Sequence, residues 1–192
     1  MNELYRNESF SVHKFTCSGE PDQCAEETSI SSEIVLPRDG MFVRNNRYGK
    51  SVADRASVLL FERDDPFEIS HPAKKPDTNT VVSLSRRLIN ELCTLPGQDN
   101  SPFFGIDSIL ATNRILLTHS ELLSAFQRRI TSDPLELEEK AFLLVAEVFD
   151  QLRKRSVIQE RSVKRSRLHG RKLVNEVLFY LNENLGNPLS LG

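Results

Sequence analysis

The chain has 192 residues, enough for one ordinary domain or two small ones, and a formal net charge of −2. Its composition, 39% hydrophobic and 27% charged with 8 Gly and 9 Pro, is that of a soluble globular protein and excludes collagen-like and disordered classes. The longest apolar stretch, Ala141 to Phe149, contains Glu147 and is far shorter than the ~20 residues that cross a bilayer. The polar, acidic N-terminus does not resemble a secretory signal, so we expect a cytoplasmic protein without a membrane span.

Runs of three or four apolar residues bounded by turn residues indicate short strands in the first half of the chain. Ile34-Val35-Leu36 and Met41 to Arg44 flank Pro37-Arg38-Asp39-Gly40, which predicts a hairpin. Further strands are predicted at Val58 to Phe61, Phe67 to Ile69 and Thr80 to Leu84, with a turn at Asn45 to Gly49. Such spacing favours an antiparallel sandwich or small barrel.

Helical periodicity begins in the second half. Ser85 is placed to cap a short helix over Arg86 to Leu92, and a longer amphipathic helix is predicted from Asn113 to Ile130. Asp133-Pro134-Leu135-Glu136 predicts the start of another helix, with Asp133 accepting the amide of the third helical residue and Glu136 reaching back. The short link Thr131-Ser132-Asp133 makes these two helices an antiparallel hairpin.

The helix that starts at Pro134 has an unusually wide apolar face. One stripe consists of Leu137, Ala141, Leu144, Val148 and Leu152, and an adjoining one of Phe142, Val145 and Phe149. Burial within the chain is the default interpretation of such a stripe. The combined width exceeds what one neighbouring helix covers, so we expect the five residues of the first stripe to form the interface of a two-fold homodimer.

Residues 151–172 form a cationic segment. Its charges are Arg153, Lys154, Arg155, Arg161, Lys164, Arg165, Arg167, Arg171 and Lys172, against the single acid Glu160. The segment is either a solvated helix face or a linker beside DNA, and in the second case Arg167, Arg171 and Lys172 would contact phosphates. A further helix follows, periodic from Leu173 to Leu185 and capped by Gly186. The end, Leu189-Ser190-Leu191-Gly192, looks like the start of another helix, so we expect a chain that has been cut from a longer protein.

No catalytic constellation is predicted. The chain has no Gly-x-Ser-x-Gly turn and no glycine-rich nucleotide loop. Its four histidines are His13, His71, His119 and His169, and its three cysteines are Cys17, Cys24 and Cys93. Neither set has metal-site spacing, so we expect no metal, no cofactor and reduced thiols. His71, which precedes Pro72, is interpreted as a structural or turn-stabilising residue, and His119 as a packed, hydrogen-bonded one.

The stretch from Arg171 to Leu185, followed by Asn187-Pro188-Leu189-Ser190-Leu191, resembles the opening of the DNA-binding domain of AraC/XylS-type transcription factors, in which Tyr-Leu-x-x-Asn-Leu and Pro-Leu-Ser-Leu lead into a helix-turn-helix. Shorter stretches are similar to the regulatory half of that family: Ala53-Asp54, Val58 to Phe61, Phe67 to Pro72 and Asp133 to Glu139. The resemblance implies a cupin-like sensory barrel, a helical region that dimerises and a basic linker to a DNA-binding domain, here truncated before the helix-turn-helix motifs.

The sequence therefore predicts an α+β chain: an antiparallel cupin-like barrel or sandwich over residues 1–96, a helical hairpin for dimerisation over 97–160, and a basic linker with the first helix of a DNA-binding domain over 161–192. The predicted function is effector sensing and dimerisation in a transcriptional regulator, without catalysis, with DNA bound through the missing domain. Two alternatives stay open: a stand-alone cupin-type metal-dependent enzyme, and a small-molecule binding or interaction module.

Overall fold

A computed structural model describes residues 1–19, 27–92, 104–128 and 133–162, the stretch 156–162 by its backbone alone. The strands that these residues form are β1 (Asn2–Arg6), β2 (Phe10–Cys17), β3 (Glu27–Thr28), β4 (Ser32–Asp39), β5 (Phe42–Asn46), β6 (Gly49–Ala53), β7 (Ser57–Phe61), β8 (Pro66–Ser70), β9 (Asp77–Leu84) and β10 (Ser108–Leu110). The helices are α1 (Arg86–Leu92), α2 (Asn113–Gln127) and α3 (Pro134–Ser162).

The strands form two antiparallel sheets. The larger sheet has the order β1-β2-β9-β4-β7-β10 and the smaller one β3-β8-β5-β6. Apolar residues of both sheets, among them Val35 and Val81 from the larger and Phe42 and Ala53 from the smaller, form one buried cluster. The prediction of an α+β chain with an antiparallel sandwich followed by helices is confirmed.

The central strands of the larger sheet are covered on both faces. Because side chains alternate along a strand, Ile34, Val58 and Val82 point to a cluster shared with α2 and α3, whereas Val35, Leu59 and Val81 point toward the smaller sheet. Burial on both faces explains why these strands read as continuous apolar runs in the sequence.

The predicted hairpin between Ile34 and Arg44 is wrong. β4 lies in the larger sheet and β5 in the smaller one, so the turn at Gly40 carries the chain from one sheet to the other. Gly40 has a φ of 74°, and a Cβ added there would lie 2.4 Å from the carbonyl oxygen of Pro76, so no other residue fits. The hairpin lies one element later, where β5 and β6 pair around the predicted turn between Asn46 and Gly49.

The sheet extends beyond the boundary predicted at residue 96, because β10 at Ser108–Leu110 pairs with β7 within the range assigned to the helices. Strands β1, β2 and β6 were not individually predicted either. At the other end, α3 continues through residue 160 to Ser162. The predicted helix from Leu173 to Leu185 lies outside the described residues.

The helix starts follow the predicted capping chemistry in part. Ser85 Oγ accepts the amide of Leu88 at the start of α1, as predicted. Asp133 Oδ1 accepts the amide of Leu135, the second helical residue and not the third. Glu136 does not complete the capping box, because its carboxylate pairs with Arg128 at the end of α2.

The two longer helices form the predicted antiparallel pair. Arg114 near the start of α2 contacts Glu147 at 2.6 Å, and Glu121, about two turns later, contacts Lys140 at 3.4 Å, so residue numbers rise along one helix as they fall along the other. Among the described residues, neither these helices nor α1 are apolar enough over sufficient length to cross a bilayer.

The apolar stripe predicted as a dimer interface is used inside the chain. Leu137, Ala141, Leu144 and Val148 are buried in the cluster beneath the larger sheet, and Leu152 packs against that cluster. They are therefore unavailable to a second copy, and the residue assignment is corrected to core. The default interpretation of the stripe applies because the larger sheet, in addition to α2, covers α3.

The core between α3 and the larger sheet predicts that two adjacent leucines of α3 contribute very differently to the free energy of unfolding. Leu144 is fully buried and Leu143 is 43% exposed. We expect Leu144→Ala to lower the free energy of unfolding by roughly 2–5 kcal/mol and Leu143→Ala by under about 1 kcal/mol, because only the first leaves a cavity. Urea denaturation followed by circular dichroism measures both, and similar losses would contradict the placement of α3 on the sheet.

Candidate functional site

A cavity of about 380 Å³ lies between the two sheets, at the small end of the range typical of small-molecule sites. Its walls are mainly apolar. The apolar side chains are Met1, Phe15, Ile30, Val35, Phe42, Phe61, Phe67, Ile69 and Val81, and the polar or ionisable ones are Cys17, Ser18, Glu27, Thr28, Ser29, Glu33, His71, Asp77 and Asn79.

A buried polar group occupies one part of this lining. His71 follows β8, and Asp77 and Asn79 lie two positions apart on β9, which places both side chains on the face toward the smaller sheet. His71 Nε2 donates to Asp77 Oδ2 at 2.5 Å, and Asn79 Nδ2 donates to Asp77 Oδ1. Cys17 faces Asp77 across the β2–β9 pair. The cluster therefore combines two strands, β2 and β9, with the turn after β8.

Asn79 is left with an unused acceptor. Its side chain is buried, and its Oδ1 has no hydrogen-bond partner among the described residues. Turning the amide over would place its oxygen against the Asp77 carboxylate, so the hydrogen bond to Asp77 fixes which end of the amide is free. A buried acceptor without a donor costs about 1–3 kcal/mol, which a bound ligand or water that donates a hydrogen bond offsets.

The surroundings of His71 differ in part from those expected. Its carbonyl accepts the amide of Lys74 at 2.9 Å and closes the turn, in agreement with the turn-stabilising interpretation. No partner for the imidazole could be predicted from residue spacing, yet the fold brings Cys17 and Asp77 close to it. Pairing of β2 with β9 brings Cys17 to Asp77, and the turn after β8 brings His71 to both. Neither contact can be predicted from the spacing of these residues in the sequence.

Cys17, His71 and Asp77 form the group of potential metal ligands found among the described residues, with ligand atoms within 4.8 Å of one another. A metal-dependent cupin enzyme would present several imidazoles, whereas this group has one. The His71 Nε2 proton and the Asp77 carboxylate also satisfy each other directly. The donor set therefore does not fit a histidine-rich cupin metal centre.

His119 lies outside the cavity. Its buried imidazole on α2 is hydrogen-bonded through Nε2 to Thr80 Oγ1 at 2.8 Å, and Thr80 points to the helix side of β9. The prediction of a packed, hydrogen-bonded histidine is confirmed. Burial, with a smaller effect of the Arg38 charge, lowers the pKa of His119 from 6.5 to about 4.

Sequence reasoning did not identify Arg44, a buried cation that contacts the cavity-lining residue Phe61. Its Nη1 donates to the carbonyl of Leu60 at 2.8 Å and its Nη2 to the carbonyl of Asp107 at 2.6 Å. The guanidinium lies 4.3 Å from the ring centroid of Phe61, one of the cavity walls. A single arginine within the apolar strand Phe42-Val43-Arg44 is the signal that could have indicated it.

The start of the cationic segment is engaged within the chain. Arg153 Nη2 donates to the carbonyl of Leu92 at 2.6 Å, Arg155 Nη1 donates to that of Ser108 at 3.5 Å, and Lys154 pairs with Asp150 at 2.5 Å. The predicted phosphate contacts Arg167, Arg171 and Lys172 lie outside the described residues, as do Cys24, Cys93 and His169.

Solved structures similar to the chain include ToxT from Vibrio cholerae strain SCE256 with an unsaturated fatty acid bound (14% identity, TM-score 0.49), over 97% of this chain and 76% of that one. ToxT from Vibrio cholerae O395 gives 13% identity and a TM-score of 0.48, over 96% and 76%. A cupin superfamily protein from Desulfitobacterium hafniense DCB-2 gives 16% identity and a TM-score of 0.36, over 43% and 72%.

No protein-family model matches the sequence, and no curated protein matches it. The similar structures thus include two of ToxT and one of a cupin superfamily protein, each with a TM-score below 0.5. At identities of 16% or less such likeness concerns the fold alone, so the function has to be argued from the cavity.

The lowered pKa of His119 predicts that the fold loses stability in mild acid. The unfolded chain takes up a proton at this site below about pH 6.5, while the folded chain does so only near pH 4, so stability falls as the pH falls through that window. We expect His119→Gln, which keeps a side-chain donor for Thr80, to remove about 2 kcal/mol of the stability difference between pH 7.5 and pH 5. Urea denaturation at the two pH values measures it, and an unchanged pH dependence would refute the assignment.

Proposed function

We propose that the chain is the effector-sensing and dimerisation part of a cytoplasmic AraC-type transcriptional regulator, which binds a small molecule and catalyses no reaction. The cavity between the sheets supports this proposal most directly. It combines apolar walls with one buried polar cluster, the arrangement that orients a small ligand, and Asn79 Oδ1 lacks a hydrogen-bond donor there.

Strand β9 offers a route from ligand to helices. Asn79 and Val81 line the cavity, while Thr80 and Val82, between and beyond them, face α2 and α3. A ligand that shifts β9 therefore acts on both faces of one rigid strand. A difference in affinity between two arrangements of the strand would bias the position of α2, and through the helix pair that of α3.

For dimerisation we propose the outer face of α3 in place of the buried stripe. Phe142 and Leu143 are 45% and 43% exposed there, and Leu135, two turns earlier than Phe142, is 68% exposed. The proposed partner is a second copy of the chain, since a two-fold axis would place the same apolar residues against each other.

DNA binding belongs to the domain that the resemblance implies after residue 192. We keep Arg167, Arg171 and Lys172 as proposed phosphate contacts of the longer protein. Their neutralisation should weaken specific and nonspecific DNA binding to a similar degree and reduce its salt dependence.

The metal-dependent enzyme is the second candidate, and the proximity of Cys17, His71 and Asp77 is the observation that favours it. Elemental analysis of the purified chain discriminates the two. Stoichiometric iron, zinc or manganese that is lost on His71→Gln would favour the enzyme, and its absence from a chain that binds small molecules would favour the sensor.

The sensing proposal predicts saturable binding of a small molecule in the cavity. In a thermal-shift screen of metabolites, a ligand at 100 times its Kd should stabilise the fold by about 2.7 kcal/mol and raise Tm by several degrees. Ile69→Trp places a larger side chain in the cavity wall and should weaken this binding at least about tenfold.

Tyr48→Trp is the matched control, because Tyr48 lies in the exposed turn of the β5–β6 hairpin and does not line the cavity. It should bind as the unchanged chain does. Equal affinity of both tryptophan variants would place the ligand elsewhere and overturn the proposal.

The dimer proposal predicts concentration-dependent association through α3. Sedimentation equilibrium at tens of micromolar should show a dimer that Phe142→Glu dissociates, because a charge would be buried at the two-fold contact. Leu110→Glu, at an exposed apolar residue of β10, should leave the dimer intact. A chain that is a strict monomer at these concentrations would contradict the proposal.

A further inference from the structure

The cavity is rich in hydrogen-bond acceptors and in negative charge. Its lining includes the acidic residues Glu27, Glu33 and Asp77 and the N-terminal residue Met1, and among the described residues that line it none is a lysine or an arginine.

Two donors of the polar cluster are engaged with the Asp77 carboxylate. The His71 Nε2 proton points to one of its oxygens and one Asn79 Nδ2 proton to the other. Ser31 and Ser83 both donate to Glu33 Oε1, at 3.0 and 3.1 Å. Among the described residues that line the cavity, Asn79 Oδ1 is the buried side-chain atom without a hydrogen-bond partner, and it is an acceptor.

The aromatic side chains of the cavity also favour a positively charged ligand. The rings of Phe15, Phe42 and Phe67 border the cavity, as does that of Phe61, which already contacts the Arg44 guanidinium. Aromatic faces attract cations by about 0.5–2 kcal/mol, more as water is excluded. A carboxylate head group would instead meet two carboxylates and an unpaired carbonyl oxygen, at a cost that rises with burial.

From these observations we propose that the effector is an amphipathic amine: an apolar chain or ring that carries a primary ammonium group, which donates to Asn79 Oδ1 near Glu33 and Asp77. The proposal rests on the proposed sensing function, since it names the chemical class of ligand for the same cavity. It predicts discrimination against the acid of the same length.

Three ligands of equal chain length test the head group: decylamine, decanol and decanoic acid, each below its critical micelle concentration at pH 7.5. Their affinities are measured by displacement of a neutral apolar fluorophore from the 192-residue chain. We expect decylamine to bind at least about tenfold more tightly than decanoic acid, with decanol between them. Decanoic acid binding as tightly as decylamine, or more so, overturns the proposal.

Two variants separate the cavity from general attraction of an amine to an acidic protein. Glu33→Gln removes a charge but keeps the Oε1 acceptor for Ser31 and Ser83, and it should reduce the amine-to-acid ratio at least about threefold. Asn79→Leu should reduce decylamine affinity by about tenfold, because it removes the acceptor. Asn90→Leu, on exposed α1, is the control and should change neither value.

The outcomes also distinguish this proposal from the sensing function. If the fluorophore binds and is blocked by Ile69→Trp, but neither cavity variant changes the amine-to-acid ratio, the cavity is a site and the amine assignment is refuted. If the fluorophore itself does not bind, the sensing function fails, and the amine proposal fails with it.

Discussion

The structure depends on a sheet that is buried on both faces. Strands β4, β7 and β9 hold a cavity on one side and two helices on the other, so neighbouring residues along one strand serve different functions. Cores are close-packed, and a displacement on one face therefore cannot be absorbed without a response on the other. This coupling requires no dedicated pathway of residues, because the two faces belong to the same backbone.

Arg44 links the two sheets and contacts Phe61, which lines the cavity. It ties β5 of the smaller sheet to β7 and to the loop before β10 through backbone carbonyls, and it lies over Phe61. Ser51 on β6 donates to the Asp107 side chain of the same loop. These hydrogen bonds hold the strands behind Phe61 together, whereas Asn79 Oδ1 in the polar cluster has no hydrogen-bond partner among the described residues.

Turn and capping residues in the sequence predicted where several helices and strands begin. The helices capped by Ser85 and Asp133 and most of the central strands begin where turn and capping residues place them. The hairpin at Gly40 was mispredicted because a turn sequence specifies a reversal but not the sheet that receives the next strand. The stripe that includes Leu144 was assigned to a dimer because periodicity shows that a face is apolar without showing what covers it. Asn79 could not be identified as a site residue, because the cavity around it is formed by strands that are far apart in sequence.

Two arginines of α3 bracket the stretch between α1 and β10: Arg153 holds the carbonyl of Leu92 and Arg155 that of Ser108. The helix has 29 residues and, at 1.5 Å per residue, extends about 44 Å. Both arginines lie in the C-terminal third of α3, which is therefore joined to the last residue of α1 and to the edge strand of the larger sheet as well as packed against α2. Rotation of α3 about its axis would have to break both hydrogen bonds, so this part of the helix is held in register with the sheet edge.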